Sequence, residues 1–277
     1  MRAPVRIVGS FLSPYVRKVL VVLRVKGVPY EVDPIVPFFG DDRFSQISPL
    51  RRVPVLIDEQ ATLSDSSVIC EYLEDRYPEP ALRPADIVLR ARARWLEEFA
   101  DSRMGEVFIW QLFNQLAIGP AVFGRPPAPA ALEKTLNVDV PHVLEYLEQE
   151  IPAAGFVCGV LSVADISIAS FFRNAQFVRF QVDAARWPRT ATFVERVLAH
   201  EAFAELRPIE ERLLRVPPTQ HRTVLQNSGV ALTAETYGTE TPRPGMMRIV
   251  LMGAGHSRRR AQRGFRANPI GAMLRGQ

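Results

Sequence analysis

The sequence predicts two unlike parts in one chain: a small α/β domain over about the first 80 residues, then an all-helical region across residues 85–216. Two observations carry this. Up to Tyr77-Pro78-Glu79-Pro80, short β-branched or apolar runs alternate with amphipathic helical patterns. Beyond Ala85 the apolar spacing turns helical and stays so until Pro217-Pro218.

The first part is justified element by element. Val5-Arg6-Ile7-Val8 is a short buried strand ending at Gly9-Ser10. Pro14 then opens a helix through Val16, Val19, Leu20, Leu23 and Arg24, stopped by Gly27. Proline suits a first turn because its missing N–H would lack an intrahelical partner there anyway. Tyr30-Glu31-Val32-Asp33 alternates as a second strand, and a helical crossover between the two strands makes them a parallel pair. Val55-Leu56-Ile57 and Ala61-Thr62-Leu63, separated by Asp58-Glu59-Gln60, form an antiparallel hairpin. Val53-Pro54 leads into it, and proline is tolerated at the first residue of a strand. A helix from Ser66 to about Arg76 closes the unit.

In the second part, one long pattern runs from Ala85 to Leu116, with Leu89, Trp95, Leu96, Phe99, Val107, Phe108 and Leu112 among its apolar positions. A second helix covers roughly 129–150, after a break at Gly119-Pro120 and Gly124-Arg125-Pro126-Pro127. The third start is clear: Ser162 as N-cap, Asp165 three residues into the turn, Leu161 and Ile166 as the flanking hydrophobic pair. That helix proceeds through Ala169, Phe172, Phe177 and Phe180, and two shorter ones follow near 189–199 and 201–214. The expected organisation is a domain over 1–80, a linker at 81–86, a helical domain over 87–216, a C-terminal strap over 217–249 and an arginine-rich tail over 250–277. The composition of that tail predicts disorder.

Composition narrows the function classes. A hydrophobic fraction of 47% with 23% charged residues is that of a soluble globular protein. No apolar run approaches the roughly 20 residues that span a bilayer, so no membrane partner is expected. Met1-Arg2-Ala3-Pro4-Val5-Arg6 lacks a signal-peptide core. Cys70 and Cys158 lie among apolar residues as reduced thiols, which fits a cytoplasmic protein. The pI of 9.3 invites a nucleic-acid reading. However, residues 250–277 hold six arginines and no acid or lysine, and without them the formal net charge falls from +4 to −2. The basicity belongs to the tail, so nucleic acid is not the expected partner. His142, His200, His221 and His256 show no metal-ligand spacing, and no metal is expected. Ile249 to Gly255 imitates a strand and a glycine phosphate loop, but the 22 residues beyond it cannot complete a dinucleotide-binding unit.

The functional signal lies in Arg51-Arg52-Val53-Pro54 and in Asp65-Ser66. Exposed backbone before a strand, a helix N-terminus for a carboxylate and a carboxylate for an ammonium group suit a zwitterionic, peptide-like ligand. With Ser13-Pro14-Tyr15-Val16-Arg17-Lys18 and Ser162-Val163-Ala164-Asp165, these motifs resemble the soluble glutathione S-transferase family, serine-type and bacterial-like, over roughly residues 5–216. The resemblance implies a thioredoxin-like N-terminal domain, β-α-β-α-β-β-α, followed by an all-α domain. It implies a cis Pro54, with the Val53 main chain pairing the cysteinyl part of glutathione. Ser66 would hold the γ-glutamyl carboxylate, Asp65 the α-ammonium, and Arg52, with Arg51 nearby, the glycyl carboxylate. The family more often carries Glu at position 65, and the stretch 37–43 holds no lysine, so affinity for glutathione is expected to be modest.

Ser13 is the expected catalytic residue, its hydroxyl donating to the glutathione sulfur at a helix N-terminus; Ser10 is the local competitor. Tyr15, Phe108, Trp110 and Phe113 are expected to line the electrophile pocket. The resemblance also implies glutathione as co-substrate and a homodimer. A serine at position 13 argues against glutathione-dependent disulfide reduction, which needs a protein thiol, and the signature of the maleylacetoacetate isomerase branch is missing before Val16-Arg17. The expected function is activation of the glutathione thiolate for attack on small hydrophobic electrophiles. The alternatives are a non-catalytic binding or stress protein of the same fold, or a specialised glutathione-dependent lyase, dehalogenase or isomerase.

Overall fold

A computed structural model describes residues 4–242 of the chain. The tail over 250–277 and the end of the strap lie outside the described residues.

A four-stranded mixed sheet organises the first part, in the order β2-β1-β3-β4. β1 (Val5–Val8) leads to helix α1 (Pro14–Val25), which returns the chain to β2 (Tyr30–Asp33). β1 and β2 pair in parallel, Val5 opposite Tyr30 and Val8 opposite Asp33, as the crossover requires. A short helix α2 (Asp42–Ile47) precedes β3 (Val55–Ile57) and β4 (Thr62–Ser64), and α3 (Ser66–Arg76) follows. β3 runs antiparallel to both β1 and β4, with Ile7 opposite Leu56 and Leu56 opposite Leu63. This is the β-α-β-α-β-β-α order expected of a thioredoxin-like domain.

The rest of the described chain is mostly helical. α4 (Ile87–Phe99) runs directly into a more widely wound stretch, Ala100–Ile118, whose main-chain bonds reach five residues back, and then into α5 (Gly119–Phe123). The expected break at Gly119-Pro120 is therefore absent. Pro120 lies inside the continuous helical run, just after Gly119, whose N–H donates to Asn114 O, and the stop comes at Gly124, whose φ of +61° favours glycine. α6 (Pro129–Lys134) and α7 (Val140–Glu150) are joined by a second wide turn, Thr135–Asp139. α8 (Val163–Phe177), α9 (Pro188–Leu198), α10 (Glu201–Ala204) and α11 (Arg207–Leu213) complete the array. α8 stops at Phe177 rather than Phe180, and the helix expected over 201–214 is two short ones.

The α8 start is built as its sequence suggests. Asp165 accepts from the Ser162 N–H at 2.9 Å and its hydroxyl at 2.7 Å, while its other oxygen accepts from the Val157 N–H at 2.9 Å. Ser162 is fully buried. Ser162→Ala removes one of three donors from a buried carboxylate and should lower stability by about 1 kcal/mol, measured by chemical denaturation.

After α11 the chain forms α12 (His221–Asn227) and then runs extended back to the sheet. The Val32 N–H donates to Ala231 O and the Thr233 N–H to Val32 O, so residues 231–233 lie along the outer edge of β2. The Asp41 N–H donates to Tyr237 O and the Thr239 N–H to Phe39 O, both at 2.7 Å, which ties the same segment to the loop after β2.

α1 is buried on nearly all sides, because it packs between the sheet, α3 and α8. Val16, Val19, Leu20 and Leu23 face this core, as their spacing predicts, but Arg17 and Lys18 are equally buried. Both cations are matched by acids from the helical region, and these matches shape the site.

Candidate functional site

Three chain segments meet at one end of the sheet: the turn between β1 and α1, the Val53-Pro54 turn before β3, and the junction of β4 with α3. Gly9 allows the first two to touch. Its φ is +150°, and a Cβ there would lie 3.0 Å from the Val53 Cβ, so any other residue would push the turns apart.

Ser13 caps α1, its Oγ accepting from the Val16 N–H at 3.4 Å. As acceptor in that bond it keeps its own proton free to donate outward. Ser10 is buried at the end of β1, and its Oγ accepts from the Leu12 N–H at 3.3 Å.

The Val53–Pro54 peptide is cis. Among the described residues, no hydrogen bond is made by the Val53 N–H or C=O. Val53 is 8% exposed, so these groups face a confined space. Ser48 secures the base of the turn, its Oγ donating to Arg52 O at 2.8 Å and accepting from the Arg52 N–H at 2.9 Å.

The two arginines before this turn part company. Arg51, at φ +51°, points back into its own loop, donating to Gly40 O at 2.6 Å, to Asp41 O at 3.1 Å and to Ser45 Oγ. Its guanidinium also lies over the Phe44 ring. Arg51 is thus a structural tie and not a second ligand for a carboxylate. Arg52 is exposed, and its guanidinium makes no hydrogen bond among the described residues.

Asp65 has φ +103° and caps α3, its Oδ1 accepting from the Ser67 and Val68 N–H groups at 2.9 and 3.2 Å. Oδ2 makes no bond among the described residues. Ser66, the first residue of α3, is 3% exposed, and neither its hydroxyl nor its N–H has a partner among the described residues. A buried donor pair at a helix N-terminus without a protein acceptor is a ready carboxylate site.

Directly behind it lies a charge cluster absent from the sequence reading. Lys18 Nζ donates to Asp101 Oδ2 at 2.6 Å, Glu97 Oε1 at 2.9 Å and Ser67 Oγ at 3.1 Å. The Ser67 hydroxyl donates to Asp101 Oδ2 at 2.9 Å. Burial opposes the ammonium, but the two carboxylates more than offset this and raise the Lys18 pKa. Asp101 shares that one ammonium with Glu97, so for it burial prevails and its pKa is raised too. Asp101 Oδ1 is buried without a partner among the described residues. Two adjacent cations, Arg17 and Lys18, ahead of the apolar run over 19–23, with acids four apart at 97 and 101, were the available signal.

Tyr15 bridges to the helical region: its hydroxyl donates to Asp101 O at 2.9 Å and its ring meets Phe171 edge-on, centroids 5.3 Å apart. Gly105 makes this possible, because a Cβ there would overlap the Tyr15 hydroxyl. Burial, with the Asp101 carboxylate beside it, pushes the phenol well above the usual tyrosine range, so Tyr15 stays protonated. The charges of Arg52 and Asp65 lie near enough to act electrostatically on it.

The other expected pocket residues are not brought together. Phe108 is fully buried, against Phe172 and Phe180 at 5.2 and 5.9 Å. Phe113 is buried against Phe177 at 6.1 Å. Both are core residues, because the Ala100–Ile118 stretch packs its aromatic face on α8. Trp110 is 40% exposed and shares no ring contact with either. Among the described residues no His, Cys, Asp and Glu cluster could hold a metal, and no helix is long and apolar enough to cross a membrane.

A thioredoxin-like sheet that brings a cis-proline turn and a helix N-terminus to one end, joined to a helical array, is the architecture that the sequence motifs predict. The glutathione S-transferase N-terminal domain family matches residues 8–81. A glutathione S-transferase of Triticum aestivum is 38% identical over 206 residues, 72% of this chain and 91% of that protein. The GST-like protein YibF of Escherichia coli K12 is 29% identical over 73% of this chain and 98% of its own length. The crystal structure of a glutathione S-transferase from Rhodospirillum rubrum F11 matches with a TM-score of 0.67 at 26% identity, covering 73% of this chain and 91% of that one. The chain belongs to the glutathione S-transferase family.

Proposed function

We propose that the protein is a glutathione transferase, which binds glutathione at the opening between Ser13, Val53 and Ser66 and activates its thiol for attack on small hydrophobic electrophiles. One observation carries the reading: the donors and acceptors left without partners at Val53 and Ser66 match the cysteinyl main chain and the γ-glutamyl carboxylate, and Ser13 caps the helix that starts at the same end of the sheet. Arg52 offers its free guanidinium to the glycyl carboxylate, and Asp65 offers Oδ2 to the α-ammonium group. Tyr15 forms part of the wall.

The chemistry is feasible without a formal base. Lowering a thiol from pKa about 8.5 to about 6.5 requires roughly 2.7 kcal/mol. A hydrogen bond to the thiolate contributes about 1.5–3 kcal/mol and the α1 N-terminus about 0.3–1 kcal/mol. The thiolate then attacks the electrophilic carbon, forming a C–S bond as the leaving group departs. The acting form is a cytosolic homodimer, for which the exposed apolar side chains Val68 on α3 and Leu89 and Trp95 on α4 offer a face.

The test is retention on immobilised glutathione, titration of thiolate absorbance in the bound ligand, and conjugation of a halogenated nitroarene. Retention, a thiol pKa below 8 and turnover support the reading. A second reading, a glutathione-binding protein without catalysis, is favoured by Asp65 already capping α3 with Oδ1; retention without thiolate at neutral pH would select it. Arg52→Ala should raise KM for glutathione about fivefold to tenfold and leave kcat within about twofold, because the interaction is equal in ground and transition states. Steady-state kinetics at varied glutathione checks this.

A further inference from the structure

The turn that carries Ser13 is gripped from inside by groups that neither bind glutathione nor belong to the Lys18 cluster. Arg17 Nη2 donates to Phe11 O at 3.3 Å, and Asn174 Nδ2 on α8 donates to Leu12 O at 2.9 Å. The two clamping groups are themselves joined, Arg17 Nη1 donating to Asn174 Oδ1 at 2.6 Å and to Ser170 O at 2.8 Å. Glu210 on α11 pairs with Arg17 Nε through one oxygen and with Arg173 Nε, at 2.8 Å, through the other. Arg17 and Asn174 are fully buried, and Glu210 nearly so. Burying Arg17 and Arg173 against Glu210, with the half-exposed Glu211 as a second acid for Arg173 at 3.4 Å, is a costly way to join two packing surfaces, since well-packed apolar residues of similar volume often do at least as well.

The direction of the two carbonyls gives the network a purpose. Phe11 O and Leu12 O accept from buried donors, so both turn inward, away from the opening where the sulfur would lie. The Ser13 N–H donates to Ser10 O at 3.0 Å, which closes the turn and fixes the main chain on either side. Were either carbonyl to rotate outward, its lone pairs would face a thiolate and oppose it, and the Ser13 hydroxyl would leave its cap position.

We infer that Arg17 and Asn174 are positioning residues for thiol activation, holding the Phe11 and Leu12 carbonyls inward so that only donors face the sulfur. The inference rests on the proposed role of Ser13. It assigns α8 and α11 a part in setting the acidity of the bound thiol, separate from any contact with the electrophile.

Asn174→Asp is the discriminating variant. It keeps the volume and the acceptor for Arg17 and replaces the donor aimed at Leu12 O, but it also adds a negative charge. Asn174→Leu, neutral and of similar volume, removes the donor without that charge and must give the same shift. The pKa of enzyme-bound glutathione, from thiolate absorbance against pH, should rise by about one unit, with about a threefold loss of kcat at pH 7 that is recovered at alkaline pH. The Kd for glutathione, read by calorimetry, should stay within about twofold, because Arg52, Val53 and Ser66 are untouched. Ser162→Ala serves as the stability control: it lowers Tm and should leave the thiol pKa in place. Arg17→Lys, which keeps a cation for Glu210 and gives up the fork to Phe11 O, repeats the test and decides it should Asn174→Asp fail to fold. If Ser13→Ala raises the thiol pKa and the decisive variant does not, the clamp is overturned while the Ser13 reading stands. If Ser13→Ala also leaves the thiol pKa unmoved, the Ser13 reading fails and the clamp falls with it.

Discussion

Ser13→Ala is expected to lower kcat/KM for conjugation of a halogenated nitroarene at neutral pH by about tenfold. One lost hydrogen bond to a charged sulfur, about 2 kcal/mol, moves the bound thiol from a pKa of about 6.5 to about 8.0, which cuts the thiolate fraction at pH 7 from about three-quarters to about a tenth. The α1 N-terminus survives the substitution and keeps part of the effect, so activity is reduced and not abolished. The bound thiol should titrate about 1.5 units higher, and the variant should approach wild-type rates as pH rises through that value. Stability should change little, because the cap bond lost is a long one at 3.4 Å. Kinetics against pH and a denaturation curve together separate the two contributions. Activity retained within about twofold would remove Ser13 from the chemistry and direct attention to Ser10, although Ser10 is 3% exposed and already holds the Leu12 N–H.

Lys18→Met is expected to be the most destabilising single change near the site, by about 3–5 kcal/mol. The methionine fills the space, but Asp101 and Glu97 lose the ammonium that both share. The pH dependence has a definite sign. In the wild type the raised Lys18 pKa gives stabilisation that is complete below the unfolded value of about 10.4 and lost only as pH rises through the higher folded value. In the variant Asp101 keeps its burial and loses its cation, so its folded pKa rises further above the unfolded one. A carboxyl group of that kind binds protons more tightly folded than unfolded, so the variant gains relative stability as pH falls. The gap in unfolding free energy between wild type and variant should therefore narrow between pH 7 and pH 5, measured by urea denaturation at each pH. A constant gap, or a loss below about 1 kcal/mol, would show that the cluster is solvated rather than buried. Because Ser67 contacts both Lys18 and Asp101, the variant should also weaken glutathione binding through the adjoining Ser66.

Much of this was legible because some residue types have few uses. A proline opening a strand, a serine before a proline at a helix start, and Ser162 with Asp165 each satisfy a local main-chain requirement, and the structure meets them where the sequence puts them. The β1–β2 and β3–β4 pairings followed from one crossover and one hairpin, whereas the β1–β3 pairing that joins them into one sheet had no local signal. Arg17 and Lys18 were opaque for the opposite reason. Charged residues beside an apolar stripe ordinarily face solvent, and their partners Glu210 and Asp101 lie 193 and 83 residues away. The aromatic residues of the Ala100–Ile118 stretch misled, because helical spacing marks an apolar face without saying whether a cavity or a core faces it. Residues 231–239 showed no periodicity, since they join the sheet and the loop after it through main-chain bonds that no side-chain pattern announces.

That late return of the chain matters for how the protein is made. The Thr239 hydroxyl reaches Phe39 O across 200 residues, and the same segment covers the outer edge of β2. During synthesis from the N-terminus, β2 can pair with β1 early, yet its other edge stays bare until residues 231–233, about 200 positions later, have been made. Bare strand edges invite pairing between nascent chains. A stretch made after all of the strands and α11 is thus the one that covers the outer edge of β2, and a message cut short after α11 would yield chains with that edge bare.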